Sequence, residues 1–234
     1  MYKRQEVRVG TVSGTSVSFG TAVVVHSSGT SQGLALAYDV NAQKLAIFYV
    51  QGTDYVSRAV VGTVSGTSVS IGTPVVINSG MQGLDTQAVY HAAAQKTVMI
   101  CRNGTDNTGY GNVFTISGTS ISVGTAGIAG SGYFQNPNIA YDANAQKVVV
   151  AHKDGGSSHM GKAYVGTVSG TTLTWGSAQT FYTSSIANPP GIAYDAGSQK
   201  IVIIFRGYSD DGYFTTGTVL SLIHISEPTR LQQI

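Results

Sequence analysis

Hydrophobic and polar positions along the chain recur with one long period. The sequence VGTVSG begins at Val9, Val61 and Val165, and a degenerate copy begins at Val113, so that successive copies lie 52 residues apart. A second recurring sequence, YDxxxQK, begins at Tyr38, Tyr141 and Tyr194, and a variant copy with His in place of Asp begins at Tyr90. A repeat of 52 residues therefore extends over almost the whole chain, and such a period is the sequence signature of a repeat architecture.

Each repeat contains four short stretches with strand-like character and no stretch with helical periodicity. In one repeat the predicted strands are 33–38, 45–49, 58–64 and 69–77, with turns at 39–43 and 65–67. Four antiparallel strands in 40 to 50 residues are typical of a β-propeller blade. We therefore predict an all-β, propeller-like fold, and we label the strands of each blade A to D.

Small sheets bury their faces by stacking on neighbouring sheets. We expect apolar B-strand residues and the recurrent A-strand tyrosines to form these layers: Phe48, Ile100, Val150 and Ile204, with Tyr38, Tyr90, Tyr141 and Tyr194. The acidic residue of YDxxxQK stands at a turn in three repeats, as Asp39, Asp142 and Asp195. Capping of the turn backbone is the expected role of these carboxylates.

Both ends of the chain resemble translated sequencing adapter. If Met1 is read from a GTG codon, 1–5 can be encoded by DNA whose reverse complement encodes 220–224, and 225–230 continues the resemblance. We expect 6–219 to be one natural domain, with foreign tails at 1–5 and 220–234. The domain then runs C-D, three full blades, and A-B-C. Two arrangements remain open: an arc of about four blades from a larger propeller, or a closed four-bladed ring.

The repeats resemble those of sialidase-like and kelch-like propellers, and more closely the Gly-Thr-Val-Ser-Gly repeat proteins of marine phage and bacterial metagenomes. In sialidase-like propellers an Asp-box, S-x-D-x-G-x-T-W, joins the third and fourth strands. Residues 169–175 share its Thr-Trp ending but lack the Asp. The resemblance implies a shared architecture and no shared chemistry.

Composition argues against several classes of function. Residues 6–219 hold ten basic and ten acidic residues, which gives no basis for nucleic-acid binding. Glu6 is the only Glu of this segment, Cys101 is the only Cys, and the histidines have no metal-site spacing. No apolar run approaches the ~20 residues of a membrane span. We expect no catalytic residue, metal or cofactor, and a protein that is not an enzyme.

The B–C loops differ in every repeat, whereas the A–B and C–D turns are nearly constant. We predict that these loops bind a glycan or a cell-surface protein, as part of a non-catalytic adhesion module in a phage tail or a secreted surface protein. An extracellular or virion-surface location follows from that prediction. The candidate ligand-binding residues are Tyr55, Arg102, Tyr110, Asp154, His159, Arg206, Asp210 and Tyr213. Two alternatives remain: a fragment of a sialidase-like glycoside hydrolase with its catalytic residues elsewhere, and a structural spacer.

Overall fold

The structure is a computed structural model that describes residues 4–27, 33–52, 56–130, 132–156, 158–209 and 211–219, with the backbone of 223–225 and 229–230. Every regular element in these residues is a β-strand. Blade 1 comprises β1 (Gln5–Val7), β2 (Gly10–Ser13), β3 (Ser16–Phe19) and β4 (Val23–His26). Blade 2 comprises β5 (Ala35–Asp39), β6 (Lys44–Val50), β7 (Ser57–Ser65), β8 (Ser68–Ile71) and β9 (Val75–Val76).

The remaining three blades follow the pattern of blade 2. Blade 3 comprises β10 (Gly83–His91), β11 (Lys96–Asn103), β12 (Gly109–Ser117), β13 (Ser120–Val123) and β14 (Gly127–Gly130). Blade 4 comprises β15 (Phe134–Asp142), β16 (Lys147–Asp154), β17 (Met160–Ser169), β18 (Thr172–Trp175) and β19 (Gln179–Tyr182). Blade 5 comprises β20 (Gly191–Asp195), β21 (Lys200–Arg206), β22 (Gly212–Val219), β23 (Ile223–Ile225) and β24 (Thr229–Arg230).

Each full blade is an antiparallel A-B-C-D sheet whose D strand is broken in two, and this confirms the predicted fold class. In blade 3 both halves, β13 and β14, pair with β12. Gly124 lies at the break, where a Cβ would stand 1.9 Å from the carbonyl oxygen of Thr171 in blade 4. A glycine is therefore required at this position, because the C–D turn of the next blade approaches the backbone too closely for a side chain.

The A strands of blades 2 to 5 pack successively against one another, and an apolar layer separates each pair of neighbouring blades. Among the described residues, blade 1 consists of C and D strands that pair with each other and with no strand of blade 5. The described strands therefore do not form the closed four-bladed ring, which required those pairings.

Phe48, Ile100 and Val150 are buried in the layers between blades, as predicted. The prediction is wrong for Ile204, which is 56% exposed. Successive side chains of a strand point to opposite faces of a sheet. Ile203 faces blade 4, so its neighbour Ile204 lies on the outer face of blade 5.

The recurrent tyrosines join blades as well as filling the layers. The hydroxyl of Tyr90 accepts a hydrogen bond from the backbone N–H of Asn41 (3.2 Å), in the A–B turn of the preceding blade. The hydroxyl of Tyr141 accepts the equivalent bond from Ala93 (3.2 Å). Tyr38 is 51% exposed, and the described strands before it include no A–B turn for it to contact. The packing role predicted for these residues is confirmed for Tyr141 and Tyr194, which pack against the apolar layers, whereas Tyr90 contacts the neighbouring blade through its hydroxyl.

The acidic residues of YDxxxQK cap their own turns, as predicted. Asp39 Oδ1 and Asp142 Oδ1 each accept a hydrogen bond of 2.9 Å from the backbone N–H three residues later. Asp195 Oδ1 accepts one of 2.9 Å from Gly197. In blade 3, His91 replaces the acid, and its Nδ1 accepts from the N–H of Ala94 (3.1 Å).

Both predicted tails contribute backbone pairing to the sheets. β1 begins at Gln5, whose Nε2 donates to the carbonyl of Val50 (3.3 Å). β23 and β24 pair with β22 in the place of a D strand. The foreign origin of these segments stays a prediction.

Candidate functional site

The loops at the two ends of the strands form two different rims. The A–B and C–D turns form one, here called the turn rim. The described residues of the B–C loops (51–52, 56, 104–108, 155–156, 158–159, 207–209 and 211) and of the D–A loops (77–82, 132–133 and 183–190) form the other, here called the loop rim. Tyr55 and Asp210, two of the predicted ligand-binding residues, lie outside the described residues.

A polar depression of about 590 Å³ opens on the loop rim between blades 2 and 3. Its lining residues are Gly33, Leu34, Leu84, Asp85, Thr86, Gln87 and Arg102. Arg102 Nε donates to Asp85 Oδ2 (3.0 Å), and Arg102 Nη1 donates to Asn107 Oδ1 (2.9 Å). Of the predicted residues, Arg102 is thus the one that the structure places in this depression.

The backbone of β10 is distorted at the depression. Asp85 has a φ of 52°, and the pairing with β11 shifts register between Leu84 and Gln87. Asn136 has the same distortion in blade 4, with a φ of 48°. Bulges of this kind re-aim side chains and are common beside binding sites. Here the bulge carries the Asp85 carboxylate to the guanidinium of Arg102.

The paired Asp85 and Arg102 retain capacity for a ligand. A guanidinium has five N–H donors, of which two are used by the contacts with Asp85 and Asn107. The carboxylate can accept further hydrogen bonds through its second oxygen. The two side chains remain 20% and 30% exposed, for Arg102 and Asp85 respectively. The depression therefore presents donors and acceptors side by side, which is the arrangement that neighbouring sugar hydroxyls require.

Tyr110 lies one strand away from Arg102 and is half-buried. It packs beside the apolar layer between blades 2 and 3. Burial raises the pKa of its hydroxyl, as does a hydrogen bond with Asp106 of the adjacent loop. Tyr110 thus lies at the start of β12, next to the B–C loop of blade 3, and its hydroxyl contacts Asp106 of that loop.

A second cluster lies on the loop rim between blades 4 and 5. The D–A loop 183–190 binds both neighbouring B–C loops through its backbone: Ile186 donates to the carbonyl of His159 (2.9 Å), and Ala187 to that of Arg206 (2.8 Å). Arg206 Nη2 donates to Asn188 Oδ1 (3.2 Å). His159 and Arg206 are both exposed. The structure thus brings together two predicted residues from different blades.

Tyr208 belongs to this second cluster and was not predicted as a ligand-binding residue. Its backbone N–H donates to the carbonyl of Ser185 (3.1 Å), while its side chain is 82% exposed. An exposed aromatic ring held by an ordered backbone is a suitable stacking surface for the apolar face of a sugar. The nearby Tyr213 is different, because its ring packs against those of Tyr182 (5.2 Å) and Phe205 (5.6 Å).

Asp154 lies in the interior, although the sequence predicted it on the binding surface. It is 8% exposed, its Oδ1 accepts from the N–H of Gly156 (3.0 Å), and its Oδ2 pairs with Lys162. A carboxylate in these contacts orders the B–C loop of blade 4 and offers little surface to a ligand.

The two arginines occupy equivalent positions, six residues after the lysine that begins each B strand. The four residues at this position are Val50, Arg102, Lys153 and Arg206. A basic residue therefore recurs in blades 3 to 5 and is absent from blade 2. Alignment of the repeats on these lysines could have revealed the position. The partners Asp85 and Asn188 carry no such signal, because they lie at bulges and loops.

The depressions contain little of what catalysis requires. Asp85 is the only carboxylate that lines the blade 2–3 depression, whereas glycoside hydrolysis uses two. Within the described residues, no three His, Cys, Asp or Glu side chains come together as a metal site. Burial raises the pKa of the Cys101 thiol to about 12, which makes it a poor nucleophile. The described part of the chain also has no helix with the length and apolarity that a membrane crossing requires.

The sequence matches no protein-family model and no curated protein. The structure is similar to that of the SapL1 lectin in complex with alpha methyl fucoside, with a TM-score of 0.52 and 11% identity over 98% of this chain and 82% of that one. It is also similar to a triple arginine-to-alanine mutant of AofleA from Arthrobotrys oligospora (TM-score 0.46, 8% identity, 90% and 78% covered). A third similar structure is TolB from Acinetobacter baumannii (TM-score 0.40, 12% identity, 91% and 59% covered). The chain therefore shares its fold with the SapL1 lectin.

Proposed function

We propose that this chain is a non-catalytic glycan-binding module that binds sugars on the loop rim, at Arg102 and at Arg206. The observation that carries the proposal is the polar depression between blades 2 and 3, where Asp85 and Arg102 are held side by side and remain partly exposed. The structure of the SapL1 lectin, whose fold is similar, is a complex with alpha methyl fucoside, and this supports a sugar as the ligand.

The two proposed sites differ in how they would hold a sugar. At the first site, Asp85 accepts from one hydroxyl while the free N–H donors of Arg102 bind its neighbour. At the second site, Tyr208 supplies an exposed, flat apolar surface two residues after Arg206, whose guanidinium donates to the amide of Asn188. Two sites on one rim would bind a branched or densely displayed glycan with avidity. Such binding suits an adhesion role in a phage tail or a secreted surface protein.

A hydrolase is the weaker of the remaining functions, because Asp85 is the only carboxylate among the described residues that line the blade 2–3 depression. A spacer role would leave no reason for Arg102 and Arg206 to replace the buried Val50 at the equivalent position.

The test is a glycan array followed by titration calorimetry with the strongest array ligand, with methyl α-fucoside as an additional probe. We expect Arg102→Gln and Arg206→Gln each to halve the number of binding sites, and the double variant to lose binding. Lys44→Gln, a change on the turn rim, is the matched control and should bind as the parent does. A double variant that is folded and binds with unchanged stoichiometry, or a folded parent that binds no glycan on the array, would contradict the proposal.

A further inference from the structure

A second cavity, of about 370 Å³, lies on the turn rim between blades 3 and 4. It is formed by the A–B turns of both blades and the C–D turn of blade 4. Its lining residues are His91, Ala93, Ala94, Lys96, Ala145, Gln146, Lys147, Val168 and Gly170. The cavity is far from the proposed sugar sites in the fold, since it lies at the opposite ends of the strands.

The charges that line this cavity have one sign. Lys96 and Lys147 are its only ionised residues at neutral pH, and no carboxylate lines it. Within the described residues, neither ammonium takes part in an ion pair, in contrast to Lys162, which pairs with Asp154. Two unpaired cations at one cavity repel each other, and a bound anion would remove that repulsion.

The lack of a carboxylate follows from one difference between the repeats. The residue at the start of the A–B turn is Asp39 in blade 2 and Asp142 in blade 4, but His91 in blade 3. At the blade 2–3 boundary, the residues equivalent to His91, Lys96 and Lys147 are Asp39, Lys44 and Lys96. At the blade 4–5 boundary, they are Asp142, Lys147 and Lys200. Only the blade 3–4 position combines two lysines with an uncharged residue.

The imidazole of His91 is held in a neutral state that keeps the turn intact. Nδ1 accepts from Ala94, so Nε2 carries the proton and donates to the carbonyl of Gln146 across the blade boundary (3.2 Å). Burial lowers the pKa of this imidazole. His91 thus performs the capping role of the Asp in the other repeats without bringing a negative charge to the cavity.

We propose that the turn-rim cavity between blades 3 and 4 binds a tetrahedral oxyanion, such as a sulfate or phosphate ester, between Lys96 and Lys147. The N–H groups of Ala93, Ala94 and Ala145 are already donated to Tyr141, His91 and Asp142, so the two ammonium groups make the main contacts with the anion. A protein with this second site would bind a charged group on one rim and sugar hydroxyls on the other.

The probe is sodium sulfate against sodium chloride at matched ionic strength, followed by backbone amide NMR and by calorimetry. We expect shifts at Ala93, Ala94 and Ala145, and about tenfold weaker binding for Lys96→Gln and for Lys147→Gln. Inorganic phosphate in place of sulfate tests whether both oxyanions bind. Lys200→Gln, on the same rim in blade 5, is the control and should leave sulfate binding unchanged.

The sharpest comparison is between His91→Asn and His91→Asp. Both variants lose the bond to Gln146 and keep an oxygen that can cap Ala94, so they differ in charge alone. We expect His91→Asn to bind sulfate within about twofold of the parent and His91→Asp to bind about tenfold more weakly. Equal binding by the two folded variants, or sulfate-induced shifts confined to the loop rim near Arg102, would overturn the proposal. Arg102→Gln should leave these shifts in place, so this test is independent of glycan binding.

Discussion

The turn rim and the loop rim lie at opposite ends of the same strands, but their polar side chains differ in hydrogen-bond partners and in exposure. On the turn rim, Asp39 and Asp142 are 1% exposed and their carboxylates satisfy the backbone of their own turns. On the loop rim, Arg102 and Asp85 satisfy each other while remaining partly open to solvent. The repeated Asp thus satisfies its own turn, whereas Arg102 and Asp85 keep part of their polar surface open to solvent.

The two rims also differ in the hydrogen bonds that join neighbouring blades. On the turn rim, the bonds from Asn41 to Tyr90 and from Ala93 to Tyr141 are copies of one interaction. On the loop rim, each blade boundary has its own contacts, such as that between Ile186 and His159. Substitutions of the turn-rim caps should therefore change stability without changing glycan binding.

Acid should produce the largest change in stability, through His152 on the loop-rim side of blade 4. Its ring is 3% exposed and stacks on Phe134 at 4.0 Å. Burial lowers its pKa to about 4, from an ordinary value of 6.5. The unfolded chain therefore takes up a proton first, and stability is lost as the pH falls from 6.5 to 4. The loss corresponds to about 3 kcal/mol.

Urea unfolding at pH 7 and at pH 4 measures this loss. His152→Phe keeps a ring against Phe134 and removes the titration, so its loss should be smaller than the parent's by about 3 kcal/mol. His91, whose pKa is also lowered by burial, contributes to the pH dependence that remains in both proteins. An equal loss of unfolding free energy between pH 7 and pH 4 in the two proteins would show that His152 is not the titrating group.

A smaller loss of stability is expected from Asp142→Ala on the turn rim. The change leaves the N–H of Ala145 without its acceptor at a partly buried position, which costs about 1 kcal/mol. Asp195→Ala removes the equivalent cap where it is exposed, so its effect on the urea midpoint should be clearly smaller. Neither change should alter glycan binding. A stable Asp142→Ala variant that loses the glycan would break the distinction between the rims.

The sequence predicted the turn rim well and the loop rim only in part, because the two rims depend on contacts of different range. Asp39 and the N–H of Ala42 that it caps are three residues apart, so the turn can be recognised locally. The partners of Arg102 and Arg206, at Asp85 and Asn188, are 17 and 18 residues away, beyond a turn and a bulge or loop. The strand register that brings such pairs together cannot be obtained from composition.

The exposure of Tyr208 and of Asp154 could not be predicted from the sequence either. The sequence placed both in variable loops, where polar and aromatic residues are equally plausible as ligands. The structure exposes the ring of Tyr208 and buries the carboxylate of Asp154 against Lys162. Exposure of a loop side chain depends on how the loop folds back on its strands, and that is a tertiary property.

The smallest expected effect comes from one backbone conformation that occurs on both rims. Gln95 on the turn rim and Asp85 on the loop rim have φ values of 53° and 52°, a left-handed conformation that costs a non-glycine residue about 1 kcal/mol. Gln95→Gly should relieve this cost and lose part of the gain to the greater freedom of the unfolded chain, for a net stabilisation of about 0.5 kcal/mol. Asp85→Gly relieves the same strain but removes the partner of Arg102, so it should lower glycan affinity whatever its effect on the urea midpoint. Equal binding by the two variants would mean that Asp85 is retained for the shape of its bulge, and that the two rims differ less in role than their sequences do.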